Sequence, residues 1–381
     1  MIKVAFVIDG IESPTGGTEK QLLMLLNGLN REKYSPYLLV LKKSEWMKSQ
    51  NFDFPVIDFE VDRIFGWKTV DKVKQMAAFC RTEKIDIVQT FFVDANIFGT
   101  VGAHRGGCPV IISSRRNIGH WQKSIDVAIL RFLRRFTNYY IANSRAAAVV
   151  TIRNEHIQEK RVRVIYNGIN LDHIASITPE MRFKQRNLWK IKEERYVIGS
   201  IANLRQVKNI DLLIAAAANI VREFPEVHFV VVGEGPERDT LGELIEEKKI
   251  SGNFTLAGSY QDVIPCLAAF DAAVLTSSHE SFSNSLIEYM AAGLPIAATS
   301  VGGNIEAICN GREGILFPAG NVDKLTEALR DIITNHELAR HLGENAKNKA
   351  YHEYSREGFL KNHEQFYMQA LREVGTNEKN T

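Results

Sequence analysis

The 381-residue sequence predicts an α/β protein made of two Rossmann-like, doubly wound domains that face a central cleft. Two observations carry this. Short apolar runs of strand length alternate with amphipathic stretches of helix length, and such alternation produces parallel sheets with right-handed crossovers. The alternation breaks once, in a polar stretch, and then resumes, so two sheets are expected. The length agrees, since a domain usually takes about 100–200 residues.

In the first series the strands are IKVAFVI (2–8), PYLLVL (36–41), DIVQT (86–90), PVIISS (109–114) and YYIAN (139–143). Helices fall between them, as at 18–30 and 68–82. The polar segment LDHIASITPEMRFKQRNLWKIKEE (171–194) carries Pro179 and reads as an interdomain linker. The second series is YVIGSIA (196–202), VHFVVVG (227–233), NFTLAG (253–258), DAAVLTS (271–277), PIAATS (295–300) and GILFP (314–318). The expected division is therefore 1–170, a linker at 171–194, a second domain at 195–355, and a last helical segment at 356–381 crossing back to the first. The charged helices of 321–373 are expected to strap the halves together. In open parallel sheets ligands bind where loops leave the carboxyl ends of the strands, so the cleft lies between two such edges.

Composition narrows the classes. Apolar residues make up 45% and charged residues 24%, with a net charge of +2. That balance supports a globular core and argues against nucleic acid as a partner. MIKVAFVID is interrupted by Asp9 too early for a signal peptide and reads as a buried strand. No apolar run reaches the ~18 residues of a membrane span. Cys80, Cys108, Cys266 and Cys309 are scattered without metal-ligand spacing, as in a reducing cytoplasm. HELARH (336–341) spaces its histidines by five, whereas a zinc helix needs four.

Four stretches carry chemistry. In SPTGGTEKQLLMLLNGL, Gly16 and Gly17 precede Thr18 and a leucine-rich helix. Glycines at a helix start let backbone N–H groups approach an anion; a tight loop with Thr18 as N-cap is the alternative. In IANLRQVKNIDLL, Arg205 and Lys208 stand where a strand gives way to a helix, a place that suits a diphosphate or a solvated loop. In VVGEGPERDTL, Gly233 and Gly235 make half a dinucleotide fingerprint; Arg238 takes the third glycine's place, so a tight turn without NAD readout is expected. In HESFSNSLIEYMAAGLPIAATSVGGNIE, Glu280 and Glu288 are separated by seven residues across a helix start, with Ser283, Asn284 and Ser285 as capping residues. Helix rise puts the two carboxylates about 10 Å apart. They suit gripping sugar or ribose hydroxyls, with dipole stabilisation by Glu288 as the plain alternative.

A further stretch, QKSIDVAILRFLRRF, places Ile125, Ala128, Ile129, Phe132, Leu133 and Phe136 on one helical stripe, expected to pack on the sheet. Lys123, Arg131, Arg134 and Arg135 lie opposite, with Val127 and Leu130 among them and Arg115 and Arg116 just upstream. This face suits either solvent or an anionic membrane surface.

Taken in order, GGTE (16–19), ANSRA (142–146), YNGIN (166–170), NLRQVKN (203–209), VGEGPER (232–238) and the Glu280/Glu288 pair with EYMAAGLPIAATSVGG resemble the retaining family 4 glycosyltransferases of the GT-B fold. The resemblance spans nearly the whole chain. It implies a nucleotide-diphosphate sugar (a UDP- or GDP-sugar) bound mostly by the second half, and a glycan or lipid-linked acceptor bound by the first. It implies that Arg205 and Lys208 hold the diphosphate with the Gly16-Gly17 backbone, and that Glu288 binds the ribose. Glu280 then faces the transferred sugar and ranks with Arg205 and Lys208 as catalytic. The backbone at Ser281, Phe282 and Ser283 lines the sugar pocket, and Gly258, Ser259 and Tyr260 wall the base. No metal or other cofactor is implied; the cations and helix starts neutralise the leaving group. Where many relatives carry a histidine this sequence has Arg115, so Arg115, Arg116, Asn117 and His120 are the acceptor-side candidates. The setting implied is bacterial surface-polysaccharide or lipid-linked glycan assembly, in the cytoplasm and at the inner face of the membrane. The alternatives are a nucleotide-sugar epimerase or phosphorylase of the same fold, an inactive nucleotide-binding partner protein, and an NAD dehydrogenase, which lacks its fingerprint.

Overall fold

The computed structural model describes residues 1–118 and 124–378. The chain divides into two compact units, Met1–Asn167 with Glu357–Thr381, and Gly168–Arg356. The first unit runs β1 (Ile2–Ile8), α1 (Gly17–Gly28), β2 (Tyr34–Val40), α2 (Glu45–Lys48), β3 (Val56–Asp58), α3 (Trp67–Glu83), β4 (Ile87–Thr90), α4 (Val93–Arg105), β5 (Val110–Arg115), α5 (Ser124–Leu133), β6 (Tyr139–Ala142), α6 (Arg145–Glu155) and β7 (Val162–Val164). Its sheet has the order β3-β2-β1-β4-β5-β6-β7, every pair parallel. The short strands β3 and β7 are absent from the sequence reading. They lie at the sheet edges and are three residues long, too short for a period to register.

The second unit continues with α7 (Leu171–Ala175), α8 (Pro179–Leu188), β8 (Tyr196–Ile201), α9 (Ile210–Glu223), β9 (Val227–Val232), α10 (Arg238–Glu247), β10 (Phe254–Gly258), α11 (Ile264–Ala269), β11 (Ala272–Leu275), α12 (Asn284–Ala291), β12 (Ile296–Thr299), α13 (Asn304–Ala307), β13 (Ile315–Phe317), α14 (Val322–Thr334) and α15 (His336–Glu353). Its sheet is also parallel, in the order β10-β9-β8-β11-β12-β13. Each sheet reverses its winding once, between β1 and β4 and between β8 and β11. The central strands are buried on both faces, which is why they read as unbroken apolar runs.

Of the charged C-terminal helices, only the last, α16 (Arg356–Glu378), changes unit; α14 and α15 pack within the core of the second. On the first unit α16 buries Phe359, Phe366, Tyr367 and Ala370. The Tyr367 hydroxyl donates to Gln89 Oε1 and that of Tyr34 to the Glu364 carbonyl. Gly28 lets the helices touch, since a Cβ there would lie 2.5 Å from Leu360 Cδ1.

Two sequence expectations need correcting. The stretch 171–194 is no free linker: α7 and α8 belong to the second unit. Thr178 caps α8, with Pro179 at its first turn. Arg186, 1% exposed, donates to Asp271 Oδ2 (2.6 Å) and to the carbonyls of Ala269, Glu193 and Arg195. Arg182 donates to Asp271 Oδ1 and Glu193 Oε1, both at 2.8 Å. Asp271 also accepts from Val197 N at the start of β8. One half-buried carboxylate thus ties the "linker" to the sheet. The polar letters that suggest solvent are here consumed by carbonyls and a carboxylate.

The second correction concerns α5. Leu130 and Leu133 are its buried residues, while Ile125 is 65% and Phe132 52% exposed, and Ala128 faces solvent too. The helix is rolled about its axis relative to the expected stripe. The cations explain the roll: Arg131 Nε donates to the Asn154 carbonyl (2.5 Å) and Arg134 Nη1 to that of His156 (2.6 Å). They satisfy the end of α6, whose last carbonyls lack helical partners. Lys123 lies outside the described residues.

Arg186→Ala removes a buried cation from a half-buried carboxylate that keeps Arg182, and leaves three carbonyls without their donor. A loss of about 1–3 kcal/mol in unfolding free energy is expected. Denaturant titration followed by the fluorescence of Trp189, stacked on Phe270, reads it; an unchanged midpoint would mean Arg186 does not anchor α8.

Candidate active site

The switch point between β8 and β11 sends two loops to the same place. The loop after β8 carries Arg205 and Lys208, and the loop after β11 carries Glu280. Hydrogen bonds lock them together: Ser278 N and Thr276 Oγ1 donate to the Val207 and Lys208 carbonyls (2.9 and 2.8 Å). Asn209, in the left-handed conformation at φ +56°, turns the chain into α9 directly after Lys208, a conformation Asn tolerates better than most residues. As a result Lys208 Nζ donates to both oxygens of Glu280, at 2.9 and 3.1 Å. Arg205 is exposed, and its guanidinium makes no hydrogen bond or ion pair among the described residues. The structure therefore joins Lys208 and Glu280, two of the three residues read as catalytic, in an ion pair, and holds Arg205 on the same loop, where its carbonyl accepts from Lys208 N at 2.8 Å.

Glycines set these loops. Gly302, at φ +46°, and Gly303 close the loop after β12 onto Glu280 and Ser281. A Cβ on Gly302 would stand 1.7 Å from the Glu280 carbonyl oxygen, and Gly303 N donates to that oxygen at 3.2 Å. The Gly233/Gly235 turn does the same for the neighbouring loop. A Cβ on either would strike the Ala202 or Leu204 carbonyl, and Leu204 N donates to the Glu234 carbonyl. The half-fingerprint is thus a close-packing device behind Arg205.

The remaining candidates of the second unit divide. Ser283 caps α12 by accepting from Leu286 N. Phe282 turns its ring onto Tyr354, at 5.3 Å, so it anchors the loop and leaves only its backbone for a ligand. Glu288 sits in the second turn of α12, 5% exposed. Tyr260 differs from expectation: its hydroxyl accepts from Gln185 Nε2 (3.0 Å) and Trp189 Nε1 (2.9 Å), which directs it to α8. Gly258, at φ +78°, and Ser259 remain at the carboxyl end of β10.

In the first unit Gly16, not Thr18, occupies the N-cap of α1, with Gly17 at the first helical position. The anion at that helix start is the chain's own. The Glu19 carboxylate lies against Gly16, where a Cβ would come within 2.4 Å of Oε2, and accepts from the Thr18 and Glu19 amides. Burial pushes its pKa up. Two more carboxylates, missed from sequence, flank it. Asp9, just past β1, accepts from Ala95 N at 2.8 Å. Burial pushes Asp9 up to about 7, with Asp94 and Glu19 adding to the rise against the Ala95 amide. Burial raises Asp94 as well. The signal available was position: Asp9 ends a strand of five consecutive buried residues at the carboxyl edge.

Of the acceptor-side candidates, Arg115 is overturned. Its guanidinium is buried and paired bidentately with Glu155 (2.7 and 2.8 Å), and it also donates to Ser113 Oγ. All three of its nitrogens are bonded within the fold. Arg116 donates from Nη2 to Asn167 Oδ1 at 2.7 Å. Asn117 is half-buried, and His120 lies outside the described residues. Among the described residues no cluster of three or more His, Cys, Asp or Glu side chains could hold a metal ion.

Comparison with known proteins bears on both units. The family model described as Glycosyltransferase Family 4 matches residues 15–173, and that described as Glycosyl transferases group 1 matches residues 181–349. The N-acetyl-alpha-D-glucosaminyl L-malate synthase of Bacillus anthracis is 25% identical over 305 residues, 78% of each chain. The UDP-Gal:alpha-D-GlcNAc-diphosphoundecaprenol alpha-1,3-galactosyltransferase of Escherichia coli is 23% identical over 363 residues, covering 86% of this chain and 90% of that one. The crystal structure of Anabaena Alr3699/HepE in complex with UDP superposes with a TM-score of 0.85 at 20% identity, covering 97% of this chain and all of the other.

Asp9 gives a pH test. Folded, its carboxyl titrates near 7 instead of 3.8. Between those values the native chain holds a proton that the unfolded chain has released, so stability falls as pH rises through that window. Asp9→Asn removes this loss while keeping an acceptor for Ala95. Its melting temperature relative to wild type is expected to climb between pH 4 and 7 and level off above; a difference that stays flat with pH contradicts the assignment.

Proposed function

The chain belongs to family 4 of the GT-B glycosyltransferases, and from that premise we propose a retaining transfer of a sugar from a UDP- or GDP-sugar to a glycan or lipid-linked acceptor. The observation that carries the reading is the convergence of Arg205, Lys208 and Glu280 at the β8/β11 switch point. An exposed guanidinium beside a half-buried ammonium matches a diphosphate, and both cations stabilise it most as it departs. Glu280 fixes Lys208 and accepts hydroxyls of the sugar on its other side. Glu288 takes the ribose hydroxyls. With two cations neutralising the leaving group, the transfer is proposed to need no metal.

In this reading the C1–phosphate bond breaks and the C1–acceptor oxygen bond forms on the same face. The acceptor hydroxyl gives its proton to the departing phosphate oxygen, so no carboxylate nucleophile is called upon. UDP is the favoured nucleotide, on the strength of the UDP-Gal enzyme and the UDP-bound structure among the relatives. Bacterial surface-polysaccharide or glycoconjugate synthesis is the proposed setting, with the enzyme working in the cytoplasm.

Arg205→Ala and Lys208→Ala are expected to weaken UDP binding ten- to a hundredfold, the equivalent of a charge-assisted contact of about 1.5–3 kcal/mol. Glu288→Gln lowers UDP affinity, whereas Glu280→Gln spares it and lowers turnover. Calorimetry with UDP, and product analysis with UDP-sugars in the presence and absence of acceptors, check the set. UDP affinity untouched in both cation variants, or turnover that needs no acceptor, rules the reading out.

Peripheral attachment to an anionic membrane is part of the proposal, now by a different face of α5. Ile125 and Phe132 are exposed, Arg135 lies 4.2 Å over the Phe132 ring, and an apolar ridge with an adjacent cation suits an anionic interface. Among the described residues no helix is long and apolar enough to cross a membrane. Ile125→Asp/Phe132→Asp is expected to abolish co-sedimentation with phosphatidylglycerol-rich vesicles and leave the Arg131 and Arg134 contacts in place. Sedimentation indifferent both to lipid charge and to the double variant removes the membrane from the proposal.

A further inference from the structure

Arg115 and Arg116 are consecutive at the carboxyl end of β5 and have opposite fates. Arg115 meets a carboxylate squarely. Among the described residues Arg116 is bonded to none: its guanidinium makes one hydrogen bond, to the neutral amide of Asn167, and its Nε is shut off from solvent without a partner. Burial pulls the Arg116 pKa down to about 10, the mark of a cation removed from water and only partly offset by a neighbouring anion. Glu19 acts on it through space, but its oxygens are turned onto the amides at the start of α1. His363 of α16 is close enough to feel the charge; burial holds it down to about 4, and its Nδ1 is bonded to the Phe359 carbonyl, so it is neutral at physiological pH.

A buried guanidinium is tolerated when a partner completes it. The fold provides one for Arg115 and withholds it from the next residue. Arg116 stands at the carboxyl end of β5, the edge of the sheet from which ligands are bound. We propose that Arg116, oriented by Asn167, forms an oxyanion site in the first unit for a phosphate or carboxylate carried by the acceptor. The missing partner is then the substrate itself, and the enzyme selects acidic acceptors over neutral glycans. This assignment to the acceptor rests on the donor reading above, which places the nucleotide diphosphate on Arg205 and Lys208.

The test uses the full chain and inorganic phosphate as the probe, titrated by calorimetry after saturation with UDP, so that the donor cations are already occupied. Wild type is expected to bind phosphate in the presence of UDP, Arg116→Met at least tenfold more weakly, and Arg116→Lys in between. UDP affinity is expected to stay within twofold in both. Without ligand, Arg116→Met is expected to melt no lower than wild type, since it replaces an uncompensated charge with an apolar chain of similar length; an arginine held for structure would lower the melting temperature. Should Arg116→Met fail to fold, Arg116→Lys carries the comparison. Phosphate binding that disregards Arg116, or is absent from UDP-saturated wild type, overturns the site. A tenfold loss of UDP affinity in Arg116→Met moves Arg116 to the donor and overturns the assignment to the acceptor. If wild type does not bind UDP at all, the donor reading fails by itself, and phosphate titration without UDP still decides whether Arg116 holds an oxyanion.

Discussion

A strand that runs parallel to its neighbour must be re-entered from the same end, so every loop leaving a carboxyl end in these sheets returns through a helix and delivers its residues to one edge. The rest of the chemistry depends on this constraint. At the point where the winding of the second sheet reverses, the helices after β8 and β11 depart to opposite faces. The two loops between them are left side by side. Lys208 and Glu280, 72 residues apart in sequence, meet there at hydrogen-bond distance. Their meeting follows from strand order before any side chain is considered.

Close backbone approach then fixes the geometry. Gly302 and Gly303 bring the loop after β12 onto Glu280, and Gly233 and Gly235 bring the β9–α10 turn onto the segment leading to Arg205. No residue with a Cβ fits at these contacts without moving a carbonyl. The candidate side chains accordingly sit on loops, yet each loop is braced from behind by a second one, which gives the precision that a charge-recognising site needs.

Buried arginines separate structural from functional charge. Arg186 spends its guanidinium on Asp271 and three carbonyls, and Arg115 spends its own on Glu155 and Ser113. Both are complete. Among the described residues Arg205 and Arg116 are incomplete in different ways, one exposed without a side-chain contact and one half-buried with a single amide. Completeness of hydrogen bonding, rather than charge or position in the chain, distinguishes the arginines that hold the fold from those proposed to meet a ligand.

The sequence alone determined the two parallel sheets, because strands buried on both faces must be written in apolar residues and crossover helices in amphipathic ones. It also determined which residues crowd the β8/β11 edge, because glycines, capping residues and carboxylates at fixed spacing are local demands of the loops themselves. Tertiary structure decided the rest. The face α5 buries was settled by carbonyls of α6 that lie more than 20 residues away and attract Arg131 and Arg134. The stretch 171–194 became part of a domain through a single distant carboxylate, Asp271. Between two adjacent arginines, the location of Glu155, 40 residues downstream, decided which one is neutralised. A periodicity records what each segment wants to bury; it holds no record of which distant polar group will be there to meet it.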